Sequence, residues 1–344
     1  ESPEARAVSL QYGPTDGLAG LRAVLADMMR DLGIRVKADQ VLVTTGAQQA
    51  LTLIAEAFID PDDIIITEGP TYLGALQAFS AFEPDVRAIP FDEDGMRMDL
   101  LEEELARIGK GNPRLKFCYT IPNFQNPGGV TMTAERRRRL LELAREYNFM
   151  VVEDDPYGEL RFEGDSLPYI GGTALPHGVI MGSFSKTVTP GFRMGYLLTK
   201  DHDLLKALNT AKEAADLHTN VFAQFVVLDY LRHNDLDEHL VKIRELYRTQ
   251  ARAMTDAMAE FFPAEVSFTK PEGGMFLWAT LPEGVSTMEL FPKALERNVA
   301  FVPGDPFYPE PGARSTMRLN FTNADEETIR DGIQRLGEVI AAAL

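Results

Sequence analysis

The feature that most constrains the fold of this chain is an alternation of short β-rich runs with stretches of helical periodicity, from about residue 17 to residue 200. Such an alternation predicts an α/β fold with a large, mostly parallel or mixed sheet, right-handed crossovers and helices on both faces. Ligands of such sheets bind beyond the carboxyl ends of the strands, so we expect functional residues in the loops that follow them. The predicted strands cover residues 41–45, 63–69, 86–91, 114–121, 149–155, 179–186 and 193–199.

The pattern changes beyond Lys200, where three long helical stretches are followed by short strands mixed with helices. This second part predicts a smaller α+β domain. We therefore divide the chain into a large domain, residues 1–235, and a small C-terminal domain, residues 236–344. Two local predictions accompany this division: Thr15 or Asp16 caps the first helix, and the ERRRR run at 135–139 lies on a solvated helix face.

Charge and composition argue against several classes of partner. The 344 residues carry a formal net charge of -18, which disfavours nucleic acid or an anionic membrane surface as the main partner. The single cysteine, Cys118, excludes an intrachain disulfide and a cysteine metal cluster, and it fits a reducing cytoplasm. No metal-ligand spacing and no apolar run of membrane-spanning length is present in the sequence. Because the chain starts at Glu1 without an initiator Met, we expect that an N-terminal stretch is missing.

The segment SFSKTVTPGFR, residues 183–193, is the strongest local signal for chemistry. Lys186 follows an apolar strand, with Ser183, Ser185 and Arg193 close to it in sequence. A lysine that forms imines must lose its proton part of the time, which burial and nearby cations promote. The hydroxyls and the guanidinium suggest a dianionic phosphate beside this amine. The alternative is a surface lysine in a loop rich in serine and threonine.

A second phosphate-binding element is TTGAQQAL, residues 44–51. A strand ends at Thr45, Gly46 permits a tight turn, and a helix begins. The backbone N–H groups of Ala47 and Gln48 therefore point towards any anion that is held there. Taken alone, the segment is also typical of a plain strand–turn–helix junction.

The segment VVEDDPYG, residues 151–158, places two acids at the end of a predicted strand. A buried carboxylate at this position can keep the pyridine nitrogen of pyridoxal 5'-phosphate (PLP) protonated, and PLP withdraws electrons well only in that form. We assign this role to Asp154 and not to Asp155, because the spacing Asp-x-x-Tyr lets Tyr157 reach the same ring. Either acid can instead be a cap or turn residue.

Three further residues meet other requirements of the same chemistry. Asn126, in PNFQNPGG, offers an amide donor to a phenolate-like oxygen, and Tyr72, in GPTY, can stack on a flat heterocycle. Arg318, in RLNF, can bind a carboxylate through two parallel hydrogen bonds. Each residue has a structural alternative: a turn, simple packing or a salt bridge. The segments together, however, supply the distinct requirements of one cofactor and one substrate class.

The chain resembles fold-type I PLP enzymes of the class I/II aminotransferase family, over nearly its whole length. It is most similar to the bacterial branch that contains 2-aminoadipate and kynurenine-type, multi-substrate aminotransferases. The matching segments, in order, are QYGPTDG, TTGAQQAL, PNFQNPGG, VVEDDPY, GSFSK, PGFR, ADLHT, GGMFLW and FVPG.

This resemblance implies a role for each candidate residue. Lys186 carries PLP as a Schiff base and moves the reacting proton, and Asp154 pairs with the pyridine nitrogen. Arg318 takes the substrate α-carboxylate, beside Asn126. The other implied contacts are also with the cofactor. Asn126 and Tyr157 bind the ring oxygen, and Tyr72 stacks on the ring face. The phosphate is bound by the backbone of Ala47 and Gln48 and by Ser183, Ser185 and Arg193.

The resemblance also implies a homodimer with shared active sites. Tyr12 matches a tyrosine that, in the family, reaches the phosphate of the neighbouring subunit's cofactor. Ala47 departs from the family pattern, because relatives often have a serine there and one hydroxyl for the phosphate is therefore absent. The family's N-terminal arm, which helps to close the site over substrate, is not in this sequence.

The expected activity is a ping-pong transamination between an L-amino acid and a 2-oxo acid such as 2-oxoglutarate, in the cytoplasm. The donor stays open among 2-aminoadipate, aromatic and branched-chain amino acids and glutamate. Two alternatives also stay open. One is a PLP-binding sensor domain of a bacterial transcription regulator, and the other is a PLP-dependent lyase or synthase on the same fold.

Overall fold

A computed structural model describes residues 9–171, 178–312 and 314–344 of the chain. The large domain is built on an eight-stranded sheet. Its strands are β1 (Val41–Thr44), β2 (Ile64–Gly69), β3 (Asp85–Asp92), β4 (Gly95–Met96), β5 (Leu115–Thr120), β6 (Met150–Asp154), β7 (Val179–Ser183) and β8 (Gly195–Leu198).

The strand order is β1-β8-β7-β6-β5-β2-β3-β4. Neighbours from β7 to β3 pair in parallel, whereas β8 is antiparallel to both β1 and β7, and β4 is antiparallel to β3. Because β8 is reversed relative to both its neighbours, β1 runs in the same direction as the parallel strands. The predicted mixed, mostly parallel sheet is therefore confirmed.

Helices cover both faces of this sheet. They are α1 (Ala19–Asp31), α2 (Gly46–Phe58), α3 (Leu73–Ser80), α4 (Met98–Ile108), α5 (Ala134–Tyr147), α6 (His202–Asp216) and α7 (Val221–His233). Among the described residues, no helix combines the length and the apolar character that a membrane span requires.

The helices divide between the two faces according to the alternation of side chains along the strands. On one face, α2, α3 and α6 pack in a core with Leu42 of β1 and Tyr119 of β5. On the other face, α1 and α7 pack with Val43 of β1. The same face is completed by α4 and α5, which pack with Cys118 of β5 and Val151 of β6. Loops at the strand ends are thus held between two fixed helical layers.

The small domain contains a second, antiparallel sheet in the order β11-β12-β10-β9. Its strands are β9 (Ser267–Phe268), β10 (Phe276–Thr280), β11 (Val302–Pro303) and β12 (Thr316–Asn320), and its helices are α8 (Leu236–Phe261), α9 (Thr287–Glu296) and α10 (Glu326–Ala341). Helix α8 connects the two parts, since Leu240 belongs to a core of the large domain and Met258 to the core of the small one. The division at residue 236 stays a prediction.

Two local predictions are wrong. Helix α1 follows Leu18 without a side-chain cap, and Asp16 instead forms an ion pair with Arg22, with 2.9 Å between Oδ2 and Nη1. The ERRRR run is not wholly solvated, because Arg137 is buried. Its Nη2 donates to the carbonyl of Pro122 at 3.0 Å and to Oδ1 of Asn123 at 2.6 Å. A guanidinium has five N–H donors, and here two of the acceptors that it binds lie in the loop after β5.

Candidate active site

The loops that carry the predicted site residues meet at one edge of the large sheet. Strands β1, β2, β5, β6 and β7 run in the same direction, so their carboxyl ends lie side by side, and β8 begins at the same edge. Strand β12 of the small domain brings Arg318 to this edge, where its Nη1 donates to Oδ1 of Asn126 at 2.8 Å. The residues that follow or precede these strand ends are Ala47, Gln48, Tyr72, Asn126, Tyr157, Lys186 and Arg193.

Lys186 lies in the turn after β7 and is half-buried. Burial is the main cause that lowers the pKa of its amine, and the positive charges of Arg318 and Arg193 lower it further. Within the described ranges it forms no ion pair. Lys212 also has a pKa lowered by burial, but its Nζ lies 2.6 Å from Oδ1 of Asp216. This carboxylate favours the protonated, charged form of the Lys212 amine. Lys186 is therefore the better placed of the two to act as a neutral amine.

Asp154 ends β6 and is buried. Its Oδ2 accepts a hydrogen bond from the hydroxyl of Tyr119 at 2.8 Å, whereas its Oδ1 is buried and has no hydrogen-bond partner in the described part of the chain. Burial raises the pKa of this carboxyl to about 7. Asp155, in contrast, accepts from Nδ2 of Asn123 at 3.0 Å and from the amide of Gly158 at 2.9 Å. Asp154 is thus the acid with an acceptor to offer to a protonated ring nitrogen.

A line of contacts connects the ring-oxygen candidates to the guanidinium. Nδ2 of Asn126 donates to the hydroxyl of Tyr157 at 3.3 Å, and Oδ1 of the same amide accepts from Arg318. Burial raises the pKa of the Tyr157 hydroxyl, so this group stays protonated and can donate a hydrogen bond. An oxygen with phenolate character between Asn126 and Tyr157 would meet two donors.

Arg318 lies over two aromatic rings. The centre of its guanidinium is 4.1 Å from the ring centroid of Phe276 and 5.1 Å from that of Phe307. Desolvation lowers its pKa, but an arginine keeps its charge in proteins. No acidic side chain forms an ion pair with it in the described ranges. A partly buried guanidinium with no carboxylate of its own is suited to bind the carboxylate of a small molecule.

Several of the predicted phosphate residues form a second group of contacts. The hydroxyl of Ser183 donates to that of Ser185 at 2.9 Å, and Nη1 of Arg193 lies 3.5 Å from the Ser185 hydroxyl. Gly46, the first residue of α2, has φ +75°, and a Cβ atom there would lie 2.8 Å from Nη2 of Arg193. This close approach brings the guanidinium to the amino end of α2, where free backbone N–H groups favour an anion.

The side chain of Gln48 does not join the phosphate group. Its Nε2 donates to the carbonyl of Gly74 at 2.7 Å, and its Oε1 accepts from the hydroxyl of Tyr72 at 3.2 Å. The backbone N–H groups of Ala47 and Gln48 are still in the first turn of α2. Gln48 therefore holds the Tyr72 ring through its side chain, a contact that the sequence analysis did not predict.

Tyr12 lies apart from the rest of the site. Its side chain is 79% exposed, and its ring meets the ring of His218 edge-on, with 5.8 Å between the centroids. Thr45, at the amino end of α2, donates through its hydroxyl to Oδ2 of Asp216 at 3.1 Å. Tyr12 is thus exposed and contacts His218, which follows by two residues the Asp216 that binds Thr45.

Several residues that shape the site were missed by the sequence analysis. Tyr119, Phe276 and Phe307 are apolar-looking positions in or next to strands, and nothing in the sequence separates them from core residues. The backbone amide of Thr71 donates to the carbonyl of Phe307 at 2.8 Å, which attaches the Tyr72 loop to the small domain. No local sequence signal reports such a contact between distant segments.

The donor set fits PLP. The orphaned Oδ1 of Asp154 suits a protonated ring nitrogen, and Asn126 with Tyr157 suits the ring oxygen. The Ser185–Arg193 group at α2 suits a phosphate, and Lys186 supplies the amine. The arrangement can hold an electron-withdrawing heterocycle beside a carboxylate-binding arginine.

Known proteins resemble this chain over nearly its whole length. Residues 4–336 match the family described as aminotransferase class I and II. Aromatic-amino-acid aminotransferase 1 of Thermococcus litoralis is 48% identical over 336 residues, which cover 97% of this chain and 80% of that protein. The 2-aminoadipate transaminase of Thermus thermophilus is 41% identical, over 98% of this chain and 83% of that protein. The structure of Pyrococcus horikoshii kynurenine aminotransferase, in complex with PMP, KYN and KYA, superimposes with a TM-score of 0.94 at 44% identity, over 98% of this chain and 84% of that one.

Proposed function

The chain belongs to the class I and II aminotransferase family, and from this premise we propose that it moves the amino group of an L-amino acid to a 2-oxo acid by ping-pong transamination. It is a PLP enzyme of fold type I. The proposal rests above all on the contact line from Arg318 through Asn126 to Tyr157, which joins a carboxylate-binding group to the residues around the cofactor ring.

PLP, when bound, accepts the substrate's amino group and withdraws electrons from the substrate Cα. Asp154 would keep the ring nitrogen protonated through its unpaired Oδ1. Tyr72 would cover the ring face, while Asn126 and Tyr157 would donate to the ring oxygen. The backbone of Ala47 and Gln48 would hold the phosphate, together with Ser183, Ser185 and Arg193.

Lys186 has two tasks in the proposed reaction. Its Nζ would hold the cofactor covalently and would be released when the amino group of a substrate takes its place. The released amine is then neutral for a useful fraction of the time, because burial and two arginines lower its pKa. Its Nζ would take the proton from the substrate Cα and return it on the cofactor side. Water would then supply the keto oxygen of the departing 2-oxo acid while the amino group stays with the cofactor, so no external oxidant is needed.

Arg318 serves both halves of the reaction, because the amino acid and the 2-oxo acid each present a carboxylate at the same position. The names of the relatives favour aromatic amino acids and 2-aminoadipate as donors. Branched-chain amino acids and glutamate stay candidates, and 2-oxoglutarate is the proposed acceptor. Measured kcat/KM values for these amino acids will show which of them is the preferred donor.

We place the enzyme in the cytoplasm as a homodimer whose partner supplies Tyr12 to the cofactor phosphate. The exposure of Tyr12 in the single chain leaves this side chain free to reach a second subunit. Sedimentation of the holoenzyme at the mass of two chains, with a weaker PLP affinity in Tyr12→Phe, is the expected result. A monomer with full PLP affinity would contradict it.

Purified holoenzyme tests the reaction directly. With a donor amino acid and no 2-oxo acid, the visible absorbance of the cofactor should disappear and one equivalent of 2-oxo acid per site should form. Addition of 2-oxoglutarate should restore the absorbance and produce glutamate. Continued product formation without a 2-oxo acid would indicate a lyase or synthase, and no change with any common amino acid would favour the sensor alternative.

A further inference from the structure

A buried pair of side chains, Glu68 and Gln125, lies behind the site and has no role in the reaction described above. We propose that they are positioning residues: the pair holds the loop that carries Asn126 and the loop that carries Tyr72 in a fixed relation to each other. The inference rests on the proposed function for the roles of Asn126 and Tyr72.

Gln125 connects the two loops directly. It is 2% exposed, and its Nε2 donates to the carbonyl of Pro70, two residues before Tyr72, at 2.8 Å. Its Oε1 accepts from the amide of Gly128 at 2.7 Å, and its backbone carbonyl accepts from Gly129 at 2.6 Å. The side chain thus fixes the turn around Asn126 and ties this turn to the Tyr72 loop.

Glu68 holds Gln125 from the end of β2. It is 2% exposed, and its Oε2 accepts from Nε2 of Gln125 and from the amide of Ile121, both at 3.3 Å. Its Oε1 accepts from the hydroxyl of Thr120. These donors lie at the start of the Asn126 loop, so the carboxylate gathers the end of β5 and the loop around one acceptor.

Hydrogen bonds stabilise the buried carboxyl at position 68. Glu68 forms no ion pair within the part of the chain described, and burial without a cation is unfavourable for a charged group. Burial raises its pKa to about 7, and the nearby charge of Asp154 adds to the rise. An apolar residue would leave the buried amide of Ile121 without its acceptor and could not hold Gln125. The hydrogen-bond geometry around Gln125 is what the carboxylate provides.

The positions held by this pair matter for substrate as well as for cofactor. Asn126 is the neighbour of Gln125 in sequence and contacts both Tyr157 and Arg318. A small displacement of its amide changes the hydrogen bond to the ring oxygen and the orientation of the guanidinium together. Loss of the pair should therefore raise KM and shift the pH midpoint of the cofactor's visible absorbance. These effects should be larger than the change in the free energy of unfolding.

The first test uses the cofactor-free protein and measures amide hydrogen exchange. In Gln125→Glu the side chain can no longer donate to Pro70 or Glu68, so amides in residues 122–131 should exchange about tenfold faster. The matched control is Gln250→Glu, the same change at a buried glutamine whose Nε2 donates to Ala324 in the small domain at 2.7 Å. The inference would be overturned if exchange in residues 122–131 is unchanged in Gln125→Glu, or if exchange in the same residues increases equally in the control.

The second test uses the holoenzyme and the swap Glu68→Gln with Gln125→Glu, which again places a donor opposite an acceptor. Each single variant should raise KM for both substrates about threefold to tenfold and move the pH midpoint of the cofactor's visible absorbance in the same direction as Asn126→Ala. The swap should recover part of both effects. If the single variants do not fold, recovery of folding and midpoint by the swap supports the pair. Absence of recovery overturns it.

Failure of the inference and failure of the proposed function are distinguishable. If wild-type enzyme does not transaminate, the proposed function is wrong whatever the exchange measurements show. If wild-type enzyme transaminates and the single variants keep its KM and absorbance midpoint, Glu68 and Gln125 are not positioning residues.

Discussion

The substitution Arg318→Lys separates the charge of the arginine from its two-armed geometry. In the structure Nη1 of the guanidinium donates to Asn126, and the guanidinium carbon lies 4.1 Å from the ring centroid of Phe276. A lysine at this position keeps the positive charge but offers a single ammonium, which cannot reach Asn126 and bind a carboxylate with two parallel hydrogen bonds.

The size of the effect follows from the contacts that are lost. One charge-assisted hydrogen bond contributes about 1.5–3 kcal/mol, which corresponds to a decrease in kcat/KM of about 10- to 150-fold. Both substrates present a carboxylate to the same residue, so kcat/KM for the amino acid and for the 2-oxo acid should fall by similar factors.

Steady-state kinetics with both substrates measures this decrease, and Arg330→Lys is the matched control. Arg330 also lies over an aromatic ring, 4.8 Å from the centroid of Phe261, and pairs with Glu260, but it is half-exposed and remote from the sheet edge. An amine that lacks the carboxyl group of the donor should react equally slowly with wild type and Arg318→Lys. A decrease of less than about threefold in kcat/KM, well below the loss of one hydrogen bond, or an equal decrease for the amine, would refute the role of Arg318.

Three other predictions concern the cofactor side of the site. Asp154→Asn should lower kcat at least about 100-fold while PLP still binds, because an amide cannot stabilise the ring cation. Rapid-mixing spectroscopy measures this decrease, and a decrease in kcat of less than about tenfold would contradict the prediction. Burial raises the pKa of both Glu68 and Asp154 to about 7, so these carboxyls bind protons more tightly in the folded cofactor-free protein than in the unfolded chain. The stability that the two protonated carboxyls add is fully present below about pH 4 and should be lost as the pH rises through about 7. Urea titrations across this range should show the decline, and Asp154→Asn should show less of it. Gly46→Ala should weaken PLP binding about tenfold through its contact with Arg193, whereas Gly33→Ala, at φ +84° with nothing within 4 Å of the added atom, should lose only about 1 kcal/mol of stability.

Much of the large domain could be predicted from the sequence, because strand–helix alternation limits the sheet to a few topologies. The carboxyl ends of strands that run in the same direction meet at one edge of a sheet, so the loops after β1, β2, β5, β6 and β7 could be placed together without any knowledge of contacts. Helix α4 was missed, since Leu101 and Leu105 stand among acidic residues that hide the apolar stripe. Arg137 was predicted to be exposed because a run of charges gives no sign of the loop carbonyls that it meets.

The contacts within the site could not be predicted to the same depth. Arg318 and Asn126 are 192 positions apart, and their hydrogen bond depends on how the small domain sits against the large sheet. Only one oxygen of Asp154 is unpaired, because the hydroxyl of Tyr119, on a neighbouring strand, donates to the other oxygen. Such details depend on tertiary packing, whereas residue type and spacing report local structure.

Reduction of the holoenzyme with borohydride tests most directly whether Lys186 carries the cofactor. Reduction fixes a covalently held cofactor on its lysine, and mass spectrometry of the digested protein then locates it. We predict one phosphopyridoxyl group per chain, on the peptide that contains Lys186. A label on Lys212, the other lysine with a pKa lowered by burial, or no label at all, would contradict the account.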